Sequence, residues 1–419
     1  MDDVEVTKSH RIYLDTNATT PIYKGALNGM MDAYKTKWGN PGGPYLEGAI
    51  AKKTLEWSRG IFAKHLNVDP LTIYFTSCGT ESNNIVLRSV MTGCSGARDT
   101  IVTTSVEHSS IRKTADMCGF KHIQVPVDRK GYVDADAFRR ILQQNERHIG
   151  LVSIILAQNE VGTIQRISAL VRIAREVLGP NVPFHTDATQ MMGKYYIHPE
   201  RLGVDMLTGS AHKFHGPRGV GILYAREGVI KPSATTMTGG GQERGCRSGT
   251  ENVPAIYGAA IAFDYMMGDV GKWEERATRI KTLRDTMLES FRRTVPGLVV
   301  NGDPNSGLYN TMSISFPNGH GHAICDYANK GGVAIGSGSA CSKGKPSETL
   351  QAMLGTSDIA TKIIHGTVRI SLSHLNTAAQ CSAAVDIIIR AWRATQEVVE
   401  REKKEMERRT RAQMGRSRV

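Results

Sequence analysis

The sequence predicts an α/β fold built on a mainly parallel sheet, followed by a smaller α+β domain, and three observations carry that expectation. Short runs rich in β-branched residues recur through the first half: LTIYFTS, TIVTTSV, GLVSIILAQ, VPFHTDA and GVGILYA. Amphipathic stretches lie between them; in residues 168–178, SALVRIAREVL, apolar residues return every three or four positions. Strands alternating with helices form a parallel sheet covered on both faces, with ligands at the carboxyl ends of its strands. From about Val253 to Val295 the pattern is helical; two more strands, TMSISF and VRISLS, and a helix near residues 377–404 follow.

The chain has 419 residues, enough for two or three domains. The expected division is a large domain over 12–265, a small one over 266–400 joined by residues 1–11, and a basic tail over 401–419. Hydrophobic residues make up 40% and no apolar run reaches the ~20 residues of a membrane span, which argues against a membrane protein. The opening MDDVEVTKSH lacks the apolar core of a secretory signal and the Arg-rich character of a mitochondrial one, so a cytoplasmic location is expected. The seven cysteines are scattered with no C-x-x-C pair, which points away from a disulfide framework and from a structural zinc site. The net charge of +12 owes much to the tail, where eight Arg or Lys face three Glu without an aromatic residue to stack on a base. No nucleic-acid partner is expected.

Two regions carry candidate chemistry. In TIYFTSCGTESNN a strand runs through small residues into a helix; Gly79 permits a tight turn, and Thr80 with the first helix amides suits a phosphate or simply caps a turn. No mononucleotide-binding loop is present, because Gly344-Lys345 has Ser339 five residues before it and Pro346 after it. The second region pairs two strand ends. VPFHTDATQ places Asp187 after an apolar run, and DMLTGSAHKFHGPRGVGILYA places Ser210, His212 and Lys213 before a glycine-rich turn. A desolvated lysine there can form a Schiff base with an aldehyde cofactor, and Asp187 can keep a pyridine nitrogen protonated. Three other readings stay open: Asp187 as a helix cap, Lys213 paired with Asp187, and a metal on His185, Asp187 and His212, though their spacing matches no ligand rule.

FHTDATQ and GSAHKFHGPRGVG, together with GGGQERGCRSGTEN at 239–252, resemble the signatures of cysteine desulfurases in the class V aminotransferase family, which are fold-type I pyridoxal-phosphate enzymes. The resemblance runs from YLDTNATTP to VRISLS. It implies Lys213 as the Schiff-base lysine, Asp187 on the pyridine nitrogen and His108 over the ring as a proton-transfer group. Gln190 is implied at the phenolic oxygen, and Gly79, Thr80, Ser210 and His212 around the phosphate. Thr250 is implied to reach a partner subunit's phosphate, which makes a homodimer with shared active sites. Asn159 and Arg369 are implied to hold the substrate L-cysteine; an arginine suits its carboxylate, while a strand-edge salt bridge is the plain alternative. Cys341, in AIGSGSACSKGKPSETL, is implied to become a persulfide, leaving alanine, and to pass sulfur to an acceptor protein such as an iron–sulfur scaffold or a tRNA-thiolation enzyme. Its Gly, Ser and Lys neighbours favour an exposed thiolate.

The chain departs from the family pattern in places. Tyr45 stands where a histidine is usual, the loop after Cys341 is short (SKGK), and Ser373-His374 replaces a usual Gly-Arg. A selenocysteine lyase and a cofactor-binding scaffold of low activity are the alternative functions.

Overall fold

A computed structural model describes residues 11–93, 98–230, 237–338 and 346–396. The strands are β1 (Ile12–Tyr13), β2 (Ile73–Thr76), β3 (Thr100–Thr104), β4 (Lys121–Val125), β5 (Ile149–Ser153), β6 (Phe184–Asp187), β7 (Met206–Ser210), β8 (Gly221–Ala225), β9 (Val299–Asn301), β10 (Thr311–Ser315), β11 (Val333–Ala334) and β12 (Thr367–Ser371). Seven form one sheet in the order β2-β8-β7-β6-β5-β3-β4. β8 runs antiparallel to both its neighbours, and the pairings from β7 to β4 are parallel. Every residue of β3, β5, β6, β7 and β8 is buried. That is why these segments read as continuous apolar or β-branched runs rather than as alternating ones.

The first four helices are α1 (Lys24–Thr36), α2 (Leu46–Leu66), α3 (Gly79–Gly93) and α4 (Ser109–Met117). α1 and α2 pack on the helix Val253–Met267, which is apolar on nearly all sides and sits between other elements. An aromatic cluster fixes this layer: the Phe62 ring lies 4.8 Å from Phe263 and 5.8 Å from Phe75. The core around the large sheet reaches from Ala26 to Met267 and includes Leu308. A second core gathers β1, β10, β12 and the helices Val270–Thr294 and 378–396. Its three-stranded sheet has the order β12-β10-β9, wholly antiparallel, while β1 pairs with β11 in parallel. Ile12 and Leu14, near the start of the chain, belong to this second core. No helix among the described residues is long and apolar enough to cross a membrane.

Candidate active site

Five strands of the large sheet deliver side chains to one edge. β2 leads into α3 at Gly79, β3 into Glu107 and His108, and β5 into the segment ending at Asn159; β6 ends on Asp187, and β7 on Ser210 just before the turn that bears Lys213. The parallel pairing of β6 with β7 sets Asp187 opposite Thr208, and β8 enters at the same edge with Gly221 opposite Ser210. The carboxyl edge that the sequence pointed to is therefore where the candidates gather.

Lys213 closes a short helical turn, Ala211–Lys213, and its Nζ donates to the peptide oxygens of Asn17 (2.6 Å) and Ala18 (2.8 Å). Asn17 lies in the segment after β1 and links most of the candidates. Its peptide oxygen also accepts from Gln190 Nε2 (3.0 Å), and its Nδ2 donates to the Asn159 peptide oxygen (3.3 Å) and to Thr311 Oγ1 (2.9 Å). That Asn159 oxygen accepts from Arg369 Nη1 (3.0 Å), while Arg369 Nη2 meets Asp15 Oδ1 at 2.6 Å. Arg369 is buried on β12, the edge strand of the small sheet, so the strand-edge ion pair considered from the sequence is present there.

Asp187 is held from two sides, by Asn83 Nδ2 on Oδ2 (2.8 Å) and by the Thr189 amide on Oδ1 (2.9 Å). Asn83 also donates to Ser110 Oγ (2.9 Å), which lies 2.7 Å from His108 Nδ1. His108 is the N-cap of α4, accepting from the Ser110 amide. Burial holds its imidazole below the usual range, and the positive Lys213 and Arg112 add to this against the pull of Asp187. His212 is pushed down to about 4 by burial and by Lys213 and Arg218, so it is neutral near pH 7 and its Nδ1 sits 3.1 Å from Thr19 Oγ1. His185, down to about 4 through burial, lies between Ser153 Oγ (2.9 Å) and Thr208 Oγ1 (3.0 Å). Those two hydroxyls occupy both ring nitrogens. No group of three or more His, Cys, Asp or Glu able to hold a metal occurs among the described residues.

Four buried polar atoms of this region have no hydrogen-bond partner: Ser210 Oγ, Asn83 Oδ1, Arg369 Nε and Glu107 Oε2. Buried polar atoms are almost always satisfied, so such a group of orphans marks a place shaped for something else. Gly79 opens α3 against this place. A Cβ there would stand 3.1 Å from Thr189 Oγ1 and 3.5 Å from Ser210 Cβ, so the missing side chain brings the helix amides near the orphaned Ser210 hydroxyl.

Two expected residues stand apart. Thr80 is exposed on the first turn of α3, and Thr250 is exposed on the loop after β8, with no hydrogen bond to the other candidates among the described residues. That loop is pinned elsewhere: Glu243 takes Arg59 in a two-point ion pair (2.8 and 2.9 Å) plus the Phe75 amide (2.9 Å), and Arg247 Nε donates to Glu81 (3.0 Å). Cys341 lies outside the described residues. Its flank is anchored by Glu160, which accepts from Ser347 Oγ (2.6 Å) and Thr349 Oγ1 (3.1 Å).

Sequence reasoning passed over Asn17, Asp15, Glu107, Glu160 and Lys194. Asn17, between Asp15 and two threonines in LDTNATT, carried the clearest signal, a polar cluster directly after a strand. Lys194 carried a weaker one, a lone cation in the otherwise uncharged ATQMMGKYYI, four residues after Gln190.

The geometry has counterparts in known proteins. The family model described as aminotransferase class-V matches residues 12–383. A protein named cysteine desulfurase IscS from Dictyoglomus turgidum is 35% identical over 385 residues, covering 90% of this chain and 94% of its own length. A solved structure titled as a NifS-like protein superposes with a TM-score of 0.82 at 37% identity, over 90% of this chain and 98% of that one. Another, titled SspA in complex with cysteine, gives a TM-score of 0.72 at 27% identity, over 87% of this chain and 99% of that one. With the match spanning the large sheet, its carboxyl edge and the strands of the second core, the chain belongs to the aminotransferase class-V family.

Proposed function

We propose that the protein is a cysteine desulfurase that uses pyridoxal 5′-phosphate to take sulfur from L-cysteine, yielding L-alanine and a persulfide on Cys341. The observation that carries this reading is the convergence of Lys213, Asp187 and the orphaned Ser210 hydroxyl on one buried edge. These residues fit the cofactor: a lysine for its aldehyde, a carboxylate for its ring nitrogen, and a hydroxyl beside helix amides for its phosphate. When bound, the cofactor supplies an electron-withdrawing ring that labilises bonds at the substrate's α-carbon.

The chain's own residues do the rest. Asn83 and the Thr189 amide hold Asp187 in one orientation, so its carboxylate can keep a nearby ring nitrogen protonated. His108, neutral through burial and oriented by Ser110, can take and return a proton at its Nε2, while Gln190 lies within the same network to meet the phenolic oxygen. Gly79, Thr80, Ser210 and His212 would hold the phosphate, joined by Thr250 of a second copy. Arg369 keeps Nε unpaired for the substrate carboxylate, with Asn159 beside it. The Cys341 thiolate attacks the substrate sulfur: an S–S bond forms, the Cβ–S bond breaks, and the β-carbon keeps the electron pair and takes up a proton. Cysteine less one sulfur is alanine, so no outside oxidant or reductant is needed. The persulfide then passes to an acceptor protein, an iron–sulfur scaffold or a tRNA-thiolation enzyme.

The working unit of this reading is a cytoplasmic homodimer. Leu27, Met31, Tyr34, Trp38, Leu46 and Trp57, on and between α1 and α2, are exposed apolar side chains of the kind that a second copy would cover. The domain division near residue 265 puts the Cys341 segment on the smaller domain. Sulfide and alanine are to be measured from L-cysteine with a reductant for wild type, Lys213→Ala and Cys341→Ser. Lys213→Ala should abolish both products, and Cys341→Ser should lose sulfur transfer while still binding the substrate. Alanine formation unchanged in Cys341→Ser would instead indicate a lyase that releases sulfur directly, and L-selenocysteine turned over in preference to L-cysteine would indicate a selenocysteine lyase.

A further inference from the structure

Lys194 takes part in none of the roles above, yet it is the one lysine buried among the described residues, 6% exposed. It follows Gly193, whose φ of +74° allows a turn that an added Cβ would block at 2.2 Å from Phe214 Cβ. Because Phe214 directly follows Lys213, this close approach locks the Lys194 turn to the Lys213 turn. Both lysines line one cavity of about 20 Å³, room for a single water, together with Tyr309, Asn310, His215 and His374.

The partners of Lys194 are two neutral amide oxygens, Gln190 Oε1 at 2.9 Å and Asn17 Oδ1 at 3.2 Å. An ammonium has three N–H donors and an uncharged amine has two. The two acceptors satisfy both donors of the amine, whereas an ammonium would bury a charge with no carboxylate in contact among the described residues and would have only the water-sized cavity for its third N–H. Among the described residues, the charged or titratable groups that face Lys194 are Lys213 from the turn after β7, Arg369 from β12 and His215 from the turn after Lys213, with Tyr309 and His374 across the shared cavity. Burial first, then the positive Lys213 and Arg369, drive its pKa well below the usual lysine range.

We propose that Lys194 is a positioning residue that works as a buried uncharged amine, fixing Asn17 and Gln190 and, through Asn17, the place of Lys213. Asn17 is the lever. Its Oδ1 is held by Lys194 and Asn310 (3.3 Å), its Nδ2 by Thr311 and Asn159, and its peptide oxygen receives Lys213 and Gln190. Its amide cannot turn without breaking several bonds at once. Being uncharged, Lys194 ties this hub together without setting a second cation beside Lys213. The inference rests on Lys213 being the cofactor lysine.

The test uses the holoprotein with pyridoxal 5′-phosphate, following its visible absorbance against pH in wild type, Lys194→Met, Lys194→Arg and Lys194→Gln. With an uncharged Lys194, the methionine variant keeps the wild-type midpoint within about 0.3 pH unit; the arginine variant adds a charge and lowers it by roughly one unit, a tenfold change in proton affinity. The reverse pattern, methionine raising the midpoint by that much and arginine leaving it unchanged, would overturn the uncharged state. For positioning, Lys194→Met should lose cofactor on dilution about tenfold faster, the scale of two hydrogen bonds, with Lys194→Gln, a neutral donor, recovering most of the loss. Equal retention by Lys194→Met would overturn it. If Lys194→Arg does not fold, or wild type develops no visible band with the cofactor, ¹³Cε-lysine NMR of wild-type protein decides. The resonance missing from Lys194→Met must sit at the neutral-amine position at pH 7.5, and an ammonium shift there sinks the proposal. A missing visible band by itself refutes only the role given to Lys213.

Discussion

Glu107 closes the turn after β3, one residue before His108, and is 2% exposed. Its Oε1 accepts from Thr104 Oγ1 (2.6 Å) and from the Ile155 amide (2.8 Å), tying the His108 turn to the segment that ends at Asn159, while Oε2 is unpartnered. Burial, aided by the negative charge of Asp187, outweighs those hydrogen bonds and pushes the carboxyl from 4.5 up to about 8. Between those two values the folded protein holds a proton that the unfolded chain has released. This contribution to stability is therefore complete below about pH 4.5 and is lost as pH rises through 8, at about 1.4 kcal/mol per pH unit. Glu107→Gln keeps an acceptor for the Ile155 amide and cannot titrate. Urea unfolding of both proteins at pH 5, 6, 7 and 8 should show wild type losing about 4 kcal/mol relative to the variant across that range. A difference that stays within about 1 kcal/mol over the whole range would refute the reasoning, because the carboxyl would then be ionised in the fold as it is in the unfolded chain.

Other perturbations follow from the same geometry. Glu243→Gln leaves the buried Arg59 guanidinium with only the half-exposed Glu56 as counter-ion and should cost about 3 kcal/mol in urea unfolding; a loss below about 1 kcal/mol would mean that Glu56 and water compensate for the lost partner. Trp38→Glu combined with Leu46→Glu places charges on side chains that are 66% and 72% exposed, so the monomer should fold normally while the proposed dimer should not form. Analytical ultracentrifugation reads the outcome, and a variant that keeps the wild-type sedimentation mass moves the subunit contact to another face.

The large sheet was legible because its strands are buried on both faces and their β-branched runs stand out from the amphipathic helices; TIVTT and the turn after it read clearly as strand and loop. Asp187 and Lys213 were legible because a charged residue at the end of an apolar run is conspicuous. The reversed direction of β8 was not, since GVGILYA has the same pattern whichever way it runs; the short turn between β7 and β8 forces the reversal. Asn17, Lys194 and Glu107 escaped because their meaning is relational. Asn17 is an ordinary polar residue until Lys213, almost two hundred positions away, places its amine on Asn17's carbonyl. The two-core arrangement was visible in outline, but not that Ile12 and Leu14 would pack with the second core.

The segment from Asp15 to Thr20 has a further consequence for the order in which the site comes into being. Asp15 waits for Arg369, 354 positions later, and the Asn17 amide waits for the Ser371 hydroxyl. At a synthesis rate of about 5–20 residues per second, roughly 20–70 s separate the emergence of one partner from that of the other. During that interval Lys213 and Asp187 have already left the ribosome, but the floor beneath the lysine is unfinished. The setting of Lys213 is thereby tied to chain completion: a nascent or truncated polypeptide lacking β12 presents the lysine before the contacts of Asp15 and Asn17 that frame its carbonyl acceptors can form.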